Sequence, residues 1–185
     1  MKKKVLFIDR DGTLIKEPID TEQIDSLELL EFLPYVISSL KMIKTYSDFE
    51  LVMVTNQDGL GTAAYPEESF LLPQNKMIET FRSEDVFFDE IFIDRSFAHE
   101  NKKTRKPGTA MLGKYFSEEY DLKNSYVIGD RLTDVELAKN LGAKAIFYNK
   151  NKGLLNNCKF KDCCVLATDD WKEISKFLLF PERTS

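Results

Sequence analysis

The sequence predicts an α/β fold with a central, mainly parallel sheet. The first reason is an alternation along the 185 residues of short apolar runs with longer amphipathic ones, the pattern of a sheet covered by helices. The second is that the strongest apolar runs end in polar clusters. The first run, Val5-Leu6-Phe7-Ile8, stops at Asp9-Arg10-Asp11-Gly12-Thr13, and in an open α/β sheet ligands bind beyond the carboxyl ends of strands.

Taken in order, the runs at 5–8, 51–55, 90–93, 125–128, 145–148 and 165–167 are short, partly β-branched and bounded by polar residues, so they read as buried strands. Helical spacing falls at 35–46, 74–84, 110–120, 134–140 and 169–178. Pro34 suits the start of the first of these helices. Thr133-Asp134 reads as the cap and first turn of the fourth, and Thr168 is a candidate cap for the last. Gly142 marks a helix stop. Two long connections, 16–32 and 59–73, lack strong periodicity, and loops of that length usually carry function or are mobile; a third, 94–107, is polar and basic.

No internal repeat or low-complexity stretch interrupts the pattern, so the expectation is a single domain over 1–180. Residues 181–185 read as the beginning of a linker. Composition is ordinary for a globular chain, with 43% hydrophobic and 31% charged residues. The formal net charge of −5 offers no general attraction for nucleic acid or anionic membranes. No apolar run approaches the ~18 residues of a membrane span, and the start Met1-Lys2-Lys3-Lys4 lacks a signal-peptide pattern, so a cytoplasmic setting is expected. The 3 cysteines, Cys158, Cys163 and Cys164, read as reduced packing residues, having no histidine beside them to complete a metal set.

Carboxylates crowded where a buried strand surfaces repel one another and lose water, so they call for a cation, and a hard oxygen-binding ion such as Mg²⁺ suits them. An Asx-rich turn with solvated acids is the plainer alternative for Asp9 and Asp11 taken alone. Further strand ends bring more chemistry. Thr55-Asn56-Gln57-Asp58-Gly59 follows the second strand, and Gly129-Asp130-Arg131-Leu132-Thr133-Asp134 follows the fourth. Arg105-Lys106-Pro107-Gly108 opens the segment ahead of that fourth strand. Gathered at one sheet edge, these supply carboxylates for metal and nucleophile, and donors for phosphate oxygens.

With those residues in place, the chain resembles phosphatases of the haloacid dehalogenase (HAD) superfamily. The shared pattern is D-x-D-G-T at Asp9–Thr13, a strand-end Thr55, Lys106, and a late acidic motif at Gly129-Asp130 and Asp134. Longer stretches are similar to the bacterial histidinol-phosphate phosphatase family: Phe7-Ile8-Asp9-Arg10-Asp11-Gly12-Thr13-Leu14-Ile15, Thr55-Asn56-Gln57-Asp58-Gly59-Leu60-Gly61-Thr62, and Ser125-Tyr126-Val127-Ile128-Gly129-Asp130-Arg131. Asp58-Gly59-Leu60-Gly61-Thr62 departs from the pattern of the sister heptose bisphosphate phosphatases. The resemblance implies a Rossmann-like, HAD-type three-layer sandwich without a large cap domain.

The same resemblance implies the chemistry. Asp9 is the expected nucleophile, forming an aspartyl-phosphate, and Asp11 the general acid and base. Mg²⁺ is expected on Asp9, the backbone carbonyl of Asp11, and Asp130. Thr55 and Asn56 are expected to bind the transferring phosphate, and Lys106 to neutralise it and hold Asp9. Asp134 fixes either the metal's surroundings or Lys106. Arg10, Gln57 and Asp58 are the expected neighbours of the leaving group, and Arg105 reaches either substrate or solvent. Residues 16–25, with Glu17 and Asp20, form a candidate flap. The substrate is a small phosphorylated metabolite, and in many relatives this unit is fused to an imidazoleglycerol-phosphate dehydratase. Many relatives also hold structural zinc in the loop before the lysine. Here that loop, 94–104, has no cysteine, so no structural zinc is expected and His99 reads as a solvated loop residue.

Overall fold

Among the described residues six strands form a wholly parallel sheet in the order β3-β2-β1-β4-β5-β6. They are β1 (Lys4–Ile8), β2 (Phe49–Asn56), β3 (Glu90–Asp94), β4 (Tyr126–Gly129), β5 (Lys144–Tyr148) and β6 (Cys164–Thr168). The computed structural model describes residues 2–20 and 23–180. The candidate linker at 181–185 therefore lies outside the described residues. Every predicted strand is present, each within two residues of its expected bounds.

Side chains alternate across a strand, and β1 shows what that does here. Leu6 and Ile8 enter the core on one face, with Val36, Leu40, Phe81 and Trp171. Val5 and Phe7 enter a second core on the other face, with Val135, Leu137, Leu141 and Tyr115. Both faces are covered, which is why the strands read as continuous apolar runs.

The α-helices are α1 (Val36–Tyr46), α2 (Glu67–Ser83), α3 (Leu132–Leu141) and α4 (Trp171–Leu179). Several expectations about them need correction. Pro34 does not open α1; Tyr35 is its N-cap, in the left-handed conformation at φ 64°, with Lys172 Nζ 3.4 Å from its ring centroid. Helix α2 starts seven residues before the expected position, because Pro66 serves as N-cap and Glu67 and Glu68 occupy the first turn. Pro73, which sequence reasoning took as a boundary, lies inside α2 and is buried. The expected helix at 110–120 is instead a 3₁₀ segment, Ala110–Phe116, kinked at Leu112. Gly113 gives that stretch no helix propensity, while Leu112 and Tyr115 still bury. Arg131 rather than Thr133 caps α3, and Asp170 rather than Thr168 caps α4 by accepting from Lys172 N at 2.8 Å. Gly142 ends α3 at φ 74°, as expected.

Strand order reverses at β1, whose neighbours are β2 and β4. That is where a doubly wound sheet opens a crevice at its carboxyl edge.

Candidate active site

The crevice is a cavity of about 650 Å³ over the ends of β1, β2 and β4. Asp9, Asp11, Thr55, Asn56, Gln57, Asp58, Arg105 and Lys106 all line it.

Asp9 is fixed where β1 ends, its N–H donating to Ile128 O on β4 at 2.9 Å. The chain then turns tightly: Leu14 N donates to Arg10 O at 2.8 Å and Gly12 N to Ile15 O at 2.8 Å. Gly12 sits at φ +74°, and a Cβ there would lie 2.4 Å from Asp130 Oδ2. Only glycine lets this turn lie beside Asp130.

Lys106 Nζ lies 2.6 Å from Asp9 Oδ1 and 2.8 Å from Asp134 Oδ1, with all three side chains nearly sealed from solvent. Burial opposes the charge on Lys106, but Asp134 and Asp9 outweigh it and hold the ammonium above the usual lysine value. The lysine is positioned from β2, where Asn56 pairs with its backbone twice. Asn56 Nδ2 donates to Lys106 O at 3.2 Å, and Lys106 N donates to Asn56 Oδ1 at 3.0 Å.

Asp11 accepts from Arg10 Nη1 on one oxygen and from Gln57 Nε2 on the other, each at 2.5 Å. Burial pushes its carboxyl above the usual range; Arg10 pulls it back, Asp9 adds to the rise, and Gln57 opposes it. A raised carboxyl lining an open cavity is suited to proton donation. Gln57 also donates to Thr55 Oγ1 at 2.8 Å, leaving the threonine hydroxyl proton to point elsewhere.

Among the described residues, Asp9, Asp130 and Asp134 offer carboxylate oxygens within 4.8 Å of one another. Asp134 is taken up by Lys106 and by Arg131 N at 3.1 Å, so Asp9 and Asp130 remain as the pair that could hold a cation. Burial, followed by the carboxylates of Asp9 and Asp134, pushes Asp130 up to about 8. Crowded hard oxygens and a side-chain-free Gly12 beside them fit a divalent cation.

Two placements differ from expectation. Arg10 does not face the leaving group; it is fully buried behind Asp11. Asp58 and Arg105 both reach the cavity, but they pair with each other at 2.5 Å. Sequence reasoning missed Arg131, which lines the cavity and meets Glu17 at 2.6 Å. Its place directly after Asp130 was the available signal. Gln74, behind Arg10, gave none.

Comparison with known proteins agrees with this geometry. A HAD-hydrolase-like family model matches residues 103–159. The D,D-heptose 1,7-bisphosphate phosphatase of B. bronchiseptica, solved with magnesium and phosphate, superposes with a TM-score of 0.82 over 95% of this chain and 98% of that one, at 20% identity. The matched segment and the superposed fold are both those of haloacid dehalogenase-like hydrolases, which the chain resembles. The chain is also 54% identical over 184 residues to the histidine biosynthesis bifunctional protein HisB of Bacteroides fragilis, covering 99% of this chain and 49% of the relative. HisB of Spirosoma linguale is 52% identical over 192 residues, covering 99% and 50%. The chain thus spans about half the length of the curated relatives it matches.

Proposed function

We propose that this protein is a Mg²⁺-dependent phosphomonoesterase that converts L-histidinol phosphate to L-histidinol. The observation that carries the chemistry is the setting of Asp9, held at one oxygen by Lys106 at 2.6 Å and lining the same cavity as Asp11. Similarity to bifunctional histidine-biosynthesis proteins supports the substrate.

Asp9 attacks phosphorus in line, the ester P–O bond breaks, and Asp11 gives its proton to the departing alkoxide. Asp11, now a carboxylate, takes a proton from water as that water attacks the aspartyl-phosphate. Asp9 is released and inorganic phosphate leaves. Thr55 and Asn56 hold phosphate oxygens, and Lys106 offsets their charge. Mg²⁺ would be held by Asp9, Asp130 and the backbone carbonyl of Asp11. It supplies charge neutralisation at phosphoryl oxygens.

The rim favours a substrate with no second phosphate. Its arginines, Arg105 and Arg131, are each countered by a carboxylate, Asp58 and Glu17. A sugar bisphosphate would compete with those carboxylates, whereas the amine of histidinol would not. We extend the proposal to a single domain over 1–180, a cytoplasmic setting, and a dehydratase partner in the full-length protein. Among the described residues no helix is long and apolar enough to cross a membrane.

The test is steady-state kinetics with Mg²⁺ on histidinol phosphate, heptose bisphosphate and p-nitrophenyl phosphate. Preference for histidinol phosphate is expected. Preference for the bisphosphate would reassign the substrate, and no turnover of any ester would leave a phosphate-binding module.

A further inference from the structure

On the side of Asp11 away from the cavity lies a second buried cation, which the proposed reaction does not use directly. Arg10 is 0% exposed. Its Nη1 donates to Asp11 Oδ1 at 2.5 Å, and its Nε donates to Gln74 Oε1 at 2.8 Å. The guanidinium carbon sits 5.0 Å from the centroid of the Phe70 ring. Phe70 and Gln74 stand four residues apart on α2, so one helix face grips the arginine at two points.

A guanidinium is an expensive way to fill a core. Among the described residues its Nη2 has no hydrogen-bond partner, and an orphaned buried donor is destabilising. An apolar side chain would pack the same space without that cost. What the arginine adds is a directed donor to one oxygen of Asp11, while Gln57 Nε2 holds the other at 2.5 Å. Gripped at both oxygens, the carboxyl plane of Asp11 cannot swing. Each carboxyl oxygen has two lone-pair positions, so the grip still leaves room for a transferred proton. A general acid must meet the leaving oxygen within hydrogen-bond reach, and misplacement by an ångström is costly.

We propose that Arg10 is a positioning residue for Asp11, and that Gln74 on α2 sets the aim of Arg10. This rests on the phosphatase reading above. It makes the rate of alkyl-ester cleavage depend on a glutamine that touches neither substrate nor metal. A purely architectural role, pinning α2 to the sheet, would instead lower activity toward all esters together.

Leaving-group dependence separates the two. p-Nitrophenolate departs as an anion, whereas a primary alkoxide needs a proton from Asp11. The measurement is kcat/KM, which reports the phosphorylation half-reaction, for p-nitrophenyl phosphate and for a primary alkyl phosphate, with Mg²⁺. Gln74→Met keeps volume but removes the acceptor for Arg10 Nε. It is expected to lower kcat/KM about tenfold for the alkyl ester and by less than about threefold for the aryl ester. Gln74→Glu restores an acceptor and is expected to return the ratio of the two esters to near the wild-type value. Arg10→Met should widen the selectivity further; should it not fold, Gln74→Met carries the test by itself. An equal loss on both esters in a folded Gln74→Met protein overturns this proposal alone. A wild-type protein that cleaves neither ester overturns the phosphatase reading, and this proposal with it.

Discussion

The two sides of Asp9 are compensated differently. On one side lies Asp134, buried in the first turn of α3, paired with Lys106 at 2.8 Å and accepting from Arg131 N at 3.1 Å. On the other lies Asp130, whose carboxylate has Thr13 Oγ1 at 3.5 Å. Burial raises the carboxyl of Asp134, but Lys106 pulls it back; Asp130 is carried up to about 8 by burial and by Asp9 and Asp134. The chain itself carries the cation for one side of Asp9; in the proposed reaction an exchangeable divalent ion would serve the other. The permanent charge would then grip the aspartate while the exchangeable one adapts to phosphate as it arrives and leaves.

Breaking the proposed nucleophile should have the largest effect. Asp9→Asn leaves the carboxamide in place but unable to form the acyl-phosphate, so turnover of p-nitrophenyl phosphate should fall by at least roughly 10³-fold. Equal rates in the two proteins would end the assignment. Next comes the built-in cation. Lys106→Met strands Asp9 and Asp134 as buried carboxylates without their ammonium, and should cost about 3–5 kcal/mol in denaturant unfolding as well as activity. A loss of activity with unchanged stability would show that the pair is less buried than the geometry states.

The sharpest probe of the asymmetry is a pair of variants with opposite signs. In metal-free buffer, Asp134→Asn should destabilise by about 1.5–3 kcal/mol, because a charged hydrogen bond to Lys106 is weakened. Asp130→Asn removes a carboxylate crowded by two others and should stabilise by on the order of 1 kcal/mol. Adding Mg²⁺ at a hundred times its dissociation constant should raise wild-type stability by about 2.7 kcal/mol, and Asp130→Asn should lose that gain. Thermal melts with and without Mg²⁺ read all of these. Should both variants shift in the same direction, the division between built-in and exchangeable compensation is wrong.

This asymmetry also marks how far the sequence could be read. The strands were legible because a parallel sheet covered on both faces writes itself as apolar runs ending in polar turns, so the sequence alone places Asp9, Thr55 and Asp130 at one edge. Segment 110–120 was misread because buried Leu112 and Tyr115 keep a helical spacing while the backbone is a kinked 3₁₀ turn. Whether Asp134 served the metal or Lys106 was open, since a separation of 28 residues between the pair leaves no pattern. Arg10 was misplaced for a related reason. Adjacent to Asp9 and Asp11, it invited a role in the pocket, and its partner Gln74 lies 64 residues on.

The rim of the cavity offers the mildest contrast with its floor. There, Arg131 and Arg105 are matched by Glu17 and Asp58, and these pairs are partly exposed, so solvent screens them and each contributes little to stability. Glu17→Gln should therefore leave unfolding within about 1 kcal/mol of wild type. Its effect belongs to selection, because removing the carboxylate uncovers positive charge where a second phosphate would lie. Discrimination between a monophosphate with a cationic leaving group and a bisphosphate should fall by about threefold, through a lower KM for the bisphosphate with kcat little changed. Unaltered KM values for both esters would place Glu17 outside the substrate's reach. A fall in kcat for both would instead assign it to the floor, where charge is compensated for chemistry rather than for choice.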